Sequence, residues 1–483
     1  MLPSSLALPP SPELFAHLAA VADDEATYQA DILTARQMDA GQQPVVLTER
    51  LRTMLGGDAT DTSADYLLLR LNICRTVTAA VVERLLVAGF GTDEPAGAQP
   101  VAAWAWEVWQ RNRMDAKQRA VHHLALRDGE AFVLVDWDTP HARPRFTPHQ
   151  RYIDGSVGGD GEGCRAFYRN DDPDQDLLFV TKQWTEVSYA RGSRTTRRRL
   201  TVYHPDRIEK YVGFPGAWQR IVDSDAEEWP IPWTTNDGRP LGIPVAHVRS
   251  SSGPEAREAW PLQNAINKLL VDFMAESDFS AFRIMLAFGW EPVDEDGVAL
   301  AIAPGTWLGS SNPDASAQAI PGSDLAQFLN GIDSMVYKVA TVTDTPISRF
   351  VVSRQVAAEG TQKQQETALL QKLRNRQGEL GNAWEDALHI ARALENTFGR
   401  GGLAENAFIQ AQWMPLEARD ETAELERAKL RKDLGMPVAL IAEGLGLTAE
   451  QIALWEGEVD ARRAMVLPIA TPVSDAETEE PAE

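Results

Sequence analysis

TQKQQETALLQKLRNRQGELGNAWEDALHIARALEN, residues 361–396, is the longest helical pattern in the chain. Leu369, Leu373, Leu380, Trp384 and Leu388 fall on one side of it, at spacings that stack side chains along a single helix face. Immediately before it runs a Pro-containing segment, TDTPISRFVVSRQVAAEG (343–360), and before that a helical pattern over 323–342. A further helix over 255–282 carries the stripe Leu262, Ile266, Leu269, Leu270 and Phe273. The two helices are joined by a Gly- and Pro-rich patch of strands and turns at 283–322.

Farther out, the period changes from 3.6 to 2. Between 131 and 254 the runs FVLVDW, LLFVTKQWTEVSY, RRRLTVYHP and RIEKYVGF are short, rich in β-branched and aromatic residues, and punctuated by Gly, Asp and Pro. RGSR (191–194) reads as the turn of a hairpin within this β-rich region. Residues 1–130 are helical in pattern. A helix from Pro12 to about Ala40 is expected first, then one over 63–87 with Leu69, Ile73, Val77, Val81 and Leu85 at four-residue steps, closed by Gly89 as a C′ glycine. Trp104, Trp106, Trp109 and Met114 mark a further helical pair that ends at Gly129. After the long helix and its connection (361–417) comes a last helical module, 418–465, in which Thr448 and Gln451 have capping-box spacing. The final stretch, 466–483, is expected to be a disordered acidic tail. The fold class is therefore α+β, without internal repeats.

The composition bounds the function. The chain has 483 residues and a formal charge of -24, from 46 Lys and Arg against 70 Asp and Glu. That sign disfavours high-affinity wrapping of nucleic acid. Fourteen Trp and fifteen Phe supply too much buryable surface for global disorder. Two cysteines, Cys74 and Cys164, make neither a disulfide framework nor a four-Cys zinc site, which suits a reducing compartment. The first residues lack the basic and apolar regions of a secretory signal, and no run of about 18 apolar residues predicts a membrane span.

No catalytic constellation stands out. There is no P-loop lysine motif, GxSxG elbow, HExxH or CxxC. His122 and His123 are adjacent, so on a helix they diverge by about 100° and cannot share a metal. Asp171, Asp172, Asp174 and Asp176 lack the glycine and terminal glutamate of a calcium loop and read as a solvated turn. Catalytic residues, cofactor and metal are all expected to be absent. Two basic features contrast with the acidic background. Arg191, Arg194, Arg197, Arg198 and Arg199 sit on the hairpin, with Arg197 and Arg199 on one face and Arg198 on the other. They read either as a contact to phosphate or to an acidic neighbouring subunit, or as charges that guard an exposed strand edge. Arg349 and Arg354 lie in the 343–360 loop.

The order of elements, with seven strings in series, resembles the portal proteins of tailed bacteriophages, most of all those of long-tailed phages of actinobacterial hosts. The strings are NICRTVTAAVVERLLVAGF (72–90), WQRNRMDAKQRAVHHLALRDGEAFVLV (109–135), TVYHPDRIEKY (201–211), GIPVAHV (242–248) with PLQNAINKLLVDFM (261–274), APGTWLG (303–309), QAIPGSDLAQFLNGID (318–333) with TDTP (343–346), and RDETAELERAKLRKDLGMPVALIAEGLGLT (419–448). The resemblance implies a wing built from 1–130 and 131–254, stem helices at 255–282 and 323–342, a clip at 283–322, a tunnel loop at 343–360, a long wing helix and a helical crown.

It further implies a homo-oligomeric ring, usually of a dozen copies, at one vertex of the virion capsid and assembled in the host cytoplasm. Double-stranded DNA would pass through without sequence specificity. The implied partners are the terminase large subunit, the major capsid and scaffold proteins, and a head-completion or adaptor protein, with no membrane. On this resemblance Arg349, Arg354 and Lys338 become candidates for facing the DNA, and Glu291, Asp294, Glu295 and Asp296 for the clip surface offered to terminase or adaptor. An acidic wall would keep the duplex sliding rather than held. Two alternatives remain at this level. One is an acidic hydrolase using a carboxylate pair among Asp171, Asp172, Asp174 and Glu209; the other is an adaptor ring without DNA passage.

Overall fold

The computed structural model describes residues 22–43, 70–94, 100–190, 193–214, 217–221, 228–281, 285–289, 313–319, 324–350, 359–416, 421–436 and 441. They divide into two compact units, one ending at Leu416 and the other beginning at Glu417.

Among the described residues, the first unit begins with helices α1 (Ala22–Ala40) and α2 (Ile73–Val82). Asn72 caps α2, its side-chain oxygen accepting from Arg75 N at 3.4 Å, while its amide nitrogen donates to the Asp39 carbonyl at the end of α1. Of the expected stripe, Ile73, Val77 and Val81 are buried on α2 and Leu85 is buried just beyond it, while Leu69 lies outside the described residues. The expected end does not. The helix stops at Val82 with Glu83 as its C-cap, and Gly89 lies inside strand β1 (Val87–Thr92), at a bulge in the pairing with a later strand. The reason is packing: a Cβ on Gly91 would sit 2.9 Å from the Gln412 side-chain nitrogen of that partner strand, and one on Gly89 would sit 3.3 Å from the Gln412 oxygen. A glycine needed for close approach and a glycine needed for a helix cap look alike in one sequence.

Helices α3 (Pro100–Arg111) and α4 (Met114–Asp128) follow, and Gly129 closes α4 at φ +88°. Then come β2 (Glu130–Asp138), β3 (Arg143–Gln150), β4 (Gly163–Tyr168), β5 (Leu177–Ala190), β6 (Ser193–Tyr203), β7 (Arg207–Phe214), β8 (Ala217–Arg220), β9 (Ile231–Pro232) and β10 (Val245–Arg249). Helix α5 (Trp260–Ala281), strands β11 (Met285–Phe288) and β12 (Ser316–Ala319), helices α6 (Ala326–Val342) and α7 (Glu359–Phe398), and strand β13 (Ile409–Trp413) complete the unit. The second unit contributes helix α8 (Glu421–Asp433), with Arg431 and Lys432 in its last turn. Thr448 and Gln451 lie outside the described residues.

Every described strand pairing between named strands is antiparallel. The order β10-β2-β3 forms one sheet, and β4-β5-β6-β7-β8, with β9 on β7, forms another. The continuous apolar run FVLV in β2 has a simple cause: both faces of the strand are covered. Ala131, Val133 and Val135 enter the main core beside α7, while Phe132 and Leu134 turn to a second core with Cys164, Val180 and Tyr203. At 40 residues, α7 is about 60 Å long. Leu369, Leu373, Leu380, Trp384 and Leu388 are all at most 1% exposed and form its buried face. A third core joins α1, α2, α5 and α6 through Met38, Val77, Ile266 and Val339.

Candidate functional site

The α5–α6 pair and the segment leaving it form the candidate site. Helix α5 is docked by Gln263, whose oxygen accepts from Ile73 N at 2.8 Å and whose nitrogen donates to Asn267 at 3.0 Å. Gln263 and Asn267 are both buried, so this polar pair fixes where α5 meets the start of α2. Helix α6 turns Ile332, Val336, Val339 and Ala340 inward. Its other side carries Lys338, Tyr337 at 58% exposure, Leu329 at 49% and Val342 at 51%. Lys338 has no ion pair among the described residues.

After α6 the chain is anchored. Thr343 Oγ1 donates to the Val339 carbonyl at 2.8 Å, Thr345 and Pro346 are buried, and Asp344 takes the left-handed conformation at φ +49°. Lys372 of α7 donates to the Thr343 carbonyl at 2.5 Å and pairs with Glu255 at 2.8 Å. Arg349 is exposed, and its guanidinium meets Glu83, the C-cap of α2, at 2.5 Å. Arg354 lies outside the described residues, as do Glu291, Asp294, Glu295, Asp296 and Arg191. Between α5 and α6 the described part is the β11–β12 pair, with Phe288 exposed.

A buried ion cluster ties these pieces to the long helix. Glu255 stands just before α5 with 2% of its side chain exposed; it accepts from Arg376 Nε at 3.0 Å as well as from Lys372. Arg376 also reaches Glu379 at 2.7 Å and the Ser252 hydroxyl. Glu255, Lys372 and Arg376 were not legible as a unit, because Glu255 and Arg376 lie 121 residues apart in sequence.

The arginine hairpin divides in two. Arg199 pairs with Glu186 at 3.0 Å. On the opposite face, Arg198 donates to the Tyr152 hydroxyl at 3.2 Å and lies 5.5 Å over the Trp218 ring. Arg194 and Arg197 are exposed, with no ion pair among the described residues.

The residues considered for chemistry are engaged elsewhere. His122 is fully buried: its Nδ1 is 3.1 Å from the Leu85 carbonyl, and its Nε2 accepts from Trp384 Nε1 at 2.9 Å. Burial pushes its pKa down to about 4, so the ring is neutral and carries its proton on Nδ1. His123 instead meets Asp39 at 3.1 Å. Burial alone would raise Glu209, but His204, Tyr211 and Arg207 more than offset it and hold it down at about 2. It is a locked anion rather than a proton donor near neutrality. Asp174 and Asp176 sit on an exposed turn, where Asp176 pairs with Arg169 at 3.1 Å. Both cysteine thiols are buried and pushed up to about 12 by desolvation. Among the described residues no group of three or more His, Cys, Asp or Glu is placed to hold a metal, and no helix is long and apolar enough to cross a membrane.

Residues 71–460 match the family model described as phage portal protein, SPP1 Gp6-like. The portal protein of Mycobacterium phage D29 is 21% identical over 348 residues, spanning 68% of this chain and 66% of that protein. The portal protein of Mycobacterium phage L5 is 22% identical over 345 residues, spanning 67% and 65%. The chain thus aligns with just under two thirds of the length of these relatives. A chain from the virion of a native gene transfer agent particle aligns with 83% of this chain and 98% of its own length, at 11% identity and a TM-score of 0.35. Because the family match runs from the cap of α2 through both sheets, the α5–α6 pair and α7 to beyond α8, this chain belongs to the SPP1 Gp6-like family of phage portal proteins.

Proposed function

We propose that this chain is the subunit of a portal ring in a phage virion, through which double-stranded DNA is packaged and ejected. In this reading the ring docks terminase during filling and a head-completion protein afterwards. The observation that carries the reading is the family match across the α5–α6 pair and the long helix together. The geometry supports it in two ways. Helix α6 is covered on one side by α5, α1 and α2 and keeps an uncovered side of mixed apolar and polar character, as a helix does when it lies against neighbours or a channel in an assembly. The acidic balance of -24, with Lys338 and Arg349 exposed on α6 and the segment after it, suits a wall past which a polyanion slides.

The experiment is electron microscopy of the assembled fraction, alone and in the presence of capsid and scaffold proteins. Closed annuli with an axial channel wide enough for a B-form duplex are expected. Annuli whose channel is blocked would favour an adaptor ring, and their absence under every condition would remove the portal reading.

A further inference from the structure

The β5–β6 hairpin extends beyond its own sheet. Strand β4 pairs with β5 only through Gln183, and β7 pairs with β6 only from Arg199 onward. The hairpin register nevertheless continues to Ala190 opposite Ser193. From Glu186 to Arg197 the hairpin is therefore a two-stranded arm with no third strand on either edge among the described residues. A bare two-strand ribbon is marginal in water, and its unpaired edges invite a partner. Directly opposed residues share a face, so Val187 with Thr196 and Tyr189 with Arg194 form one side of the arm. Tyr189 is 78% exposed, the most exposed large aromatic among the described residues.

The two ends of this sheet carry opposite charge. The arm bears Arg194 on the Tyr189 side and Arg197 on the opposite side, across from Glu186, both exposed without ion pairs among the described residues, on a chain whose net charge is -24. The other end of β5 begins at the β4–β5 turn, whose sequence DDPDQD places Asp174 and Asp176 in solvent. The ends are roughly 45 Å apart at about 3.3 Å per residue. A surface whose ends complement each other favours head-to-tail contact between copies, and a head-to-tail contact closes into a ring when its rotation allows.

We propose that the arm is an interface with a second copy of this chain, its end gripped by the neighbour so that Tyr189 is covered and the Asp174–Asp176 turn of the neighbour meets Arg194 from the Tyr189 side and Arg197 from the other. This inference rests on the ring reading above and identifies one contact that builds the ring.

The test is charge reversal on the full chain, read as the protein concentration giving half assembly by light scattering. Arg194→Glu with Arg197→Glu, and separately Asp174→Lys with Asp176→Lys, should each raise that concentration about tenfold or more, because each sets like charges against each other across the contact. Combining all four should bring it back close to the wild-type value. Since the residues are exposed, thermal unfolding of each monomer should stay close to the wild type, with only the exposed Arg169–Asp176 pair lost in the Asp176 variant, which separates lost assembly from lost folding. Arg194→Ala with Arg197→Ala is the milder variant and should weaken assembly without repulsion.

Two results overturn the inference: arm variants that assemble like the wild type, or charge-swapped chains that are not rescued. Arm variants that assemble normally but lose affinity for duplex DNA in fluorescence anisotropy overturn it in favour of a nucleic-acid contact. Wild-type chain that never self-associates instead counts against the ring itself.

Discussion

At the residue scale, the interior is held by a few polar side chains whose protonation is fixed by burial. His122 bridges the end of the α2 segment to α7: Leu85 accepts its Nδ1 proton and Trp384 donates to its Nε2. Trp384 in turn packs edge to face on Trp109, with ring centroids 4.9 Å apart. The pKa of His122 is lower folded than unfolded, so the unfolded chain takes up the proton first as the pH falls. Stability from this residue is complete above about 6.5 and is lost progressively down to about 4, by roughly 3 kcal/mol in all. Glu130 adds a second step. Burial raises its pKa, but Arg151 and His247 more than offset that and hold it at about 2, so its contribution is lost only below about 4.5. Urea unfolding of the wild type should therefore weaken between pH 6.5 and 4. His122→Gln should be destabilised at pH 7.5 by about 1–3 kcal/mol and should show a shallower pH slope by one proton. An unchanged slope would mean that His122 does not titrate in this window. The sequence already showed that His122 and His123 diverge, but not their partners, which lie 37 and 262 residues from His122 and 84 residues from His123.

At the element scale, periodicity was a reliable guide and termini were not. The stripes of α2 and α7 and the β5–β6 hairpin follow from spacing alone, because burial of one face imposes its period on the chain. The start of α2 at Ile73 rests on Asn72 bonding across to α1, and the place of Gly89 in a strand rests on pairing with β13, neither of which is local. The Glu255 cluster is similarly invisible to local reading, yet it joins the start of α5, the end of α6 and the middle of α7. Removing one member leaves buried charge without compensation, at a cost of about 3–5 kcal/mol. Glu255→Ala should lower the melting temperature and speed hydrogen exchange in α5 and in α7 around Arg376. Glu255→Ala combined with Arg376→Met should recover much of the loss. If the double variant is as unstable as the single one, the cluster does not act as a coupled unit.

At the scale of the whole molecule, the chain is strongly acidic, with 70 Asp and Glu against 46 Lys and Arg. Lys338 stands free on the uncovered side of α6, while Arg349 is tied to Glu83. The proposed ring assigns these two, with Arg354, the role of weak contacts to a passing duplex. Alanine at all three positions should slow DNA filling in a packaging assay while ring yield stays at the wild-type level; loss of rings would mean that the three residues are structural. The proposed surface of assembly is only partly legible in the sequence. Five arginines on a hairpin were visible, but the strand register was needed to show that the arm runs past its sheet and that Arg198 and Arg199 are engaged within the subunit. Assembly into a closed ring is tested by the solution mass of the purified protein, measured by light scattering. A discrete species near a dozen times the 53.2 kDa subunit is expected. A monomer or dimer that persists at high concentration and with capsid and scaffold proteins present would contradict it.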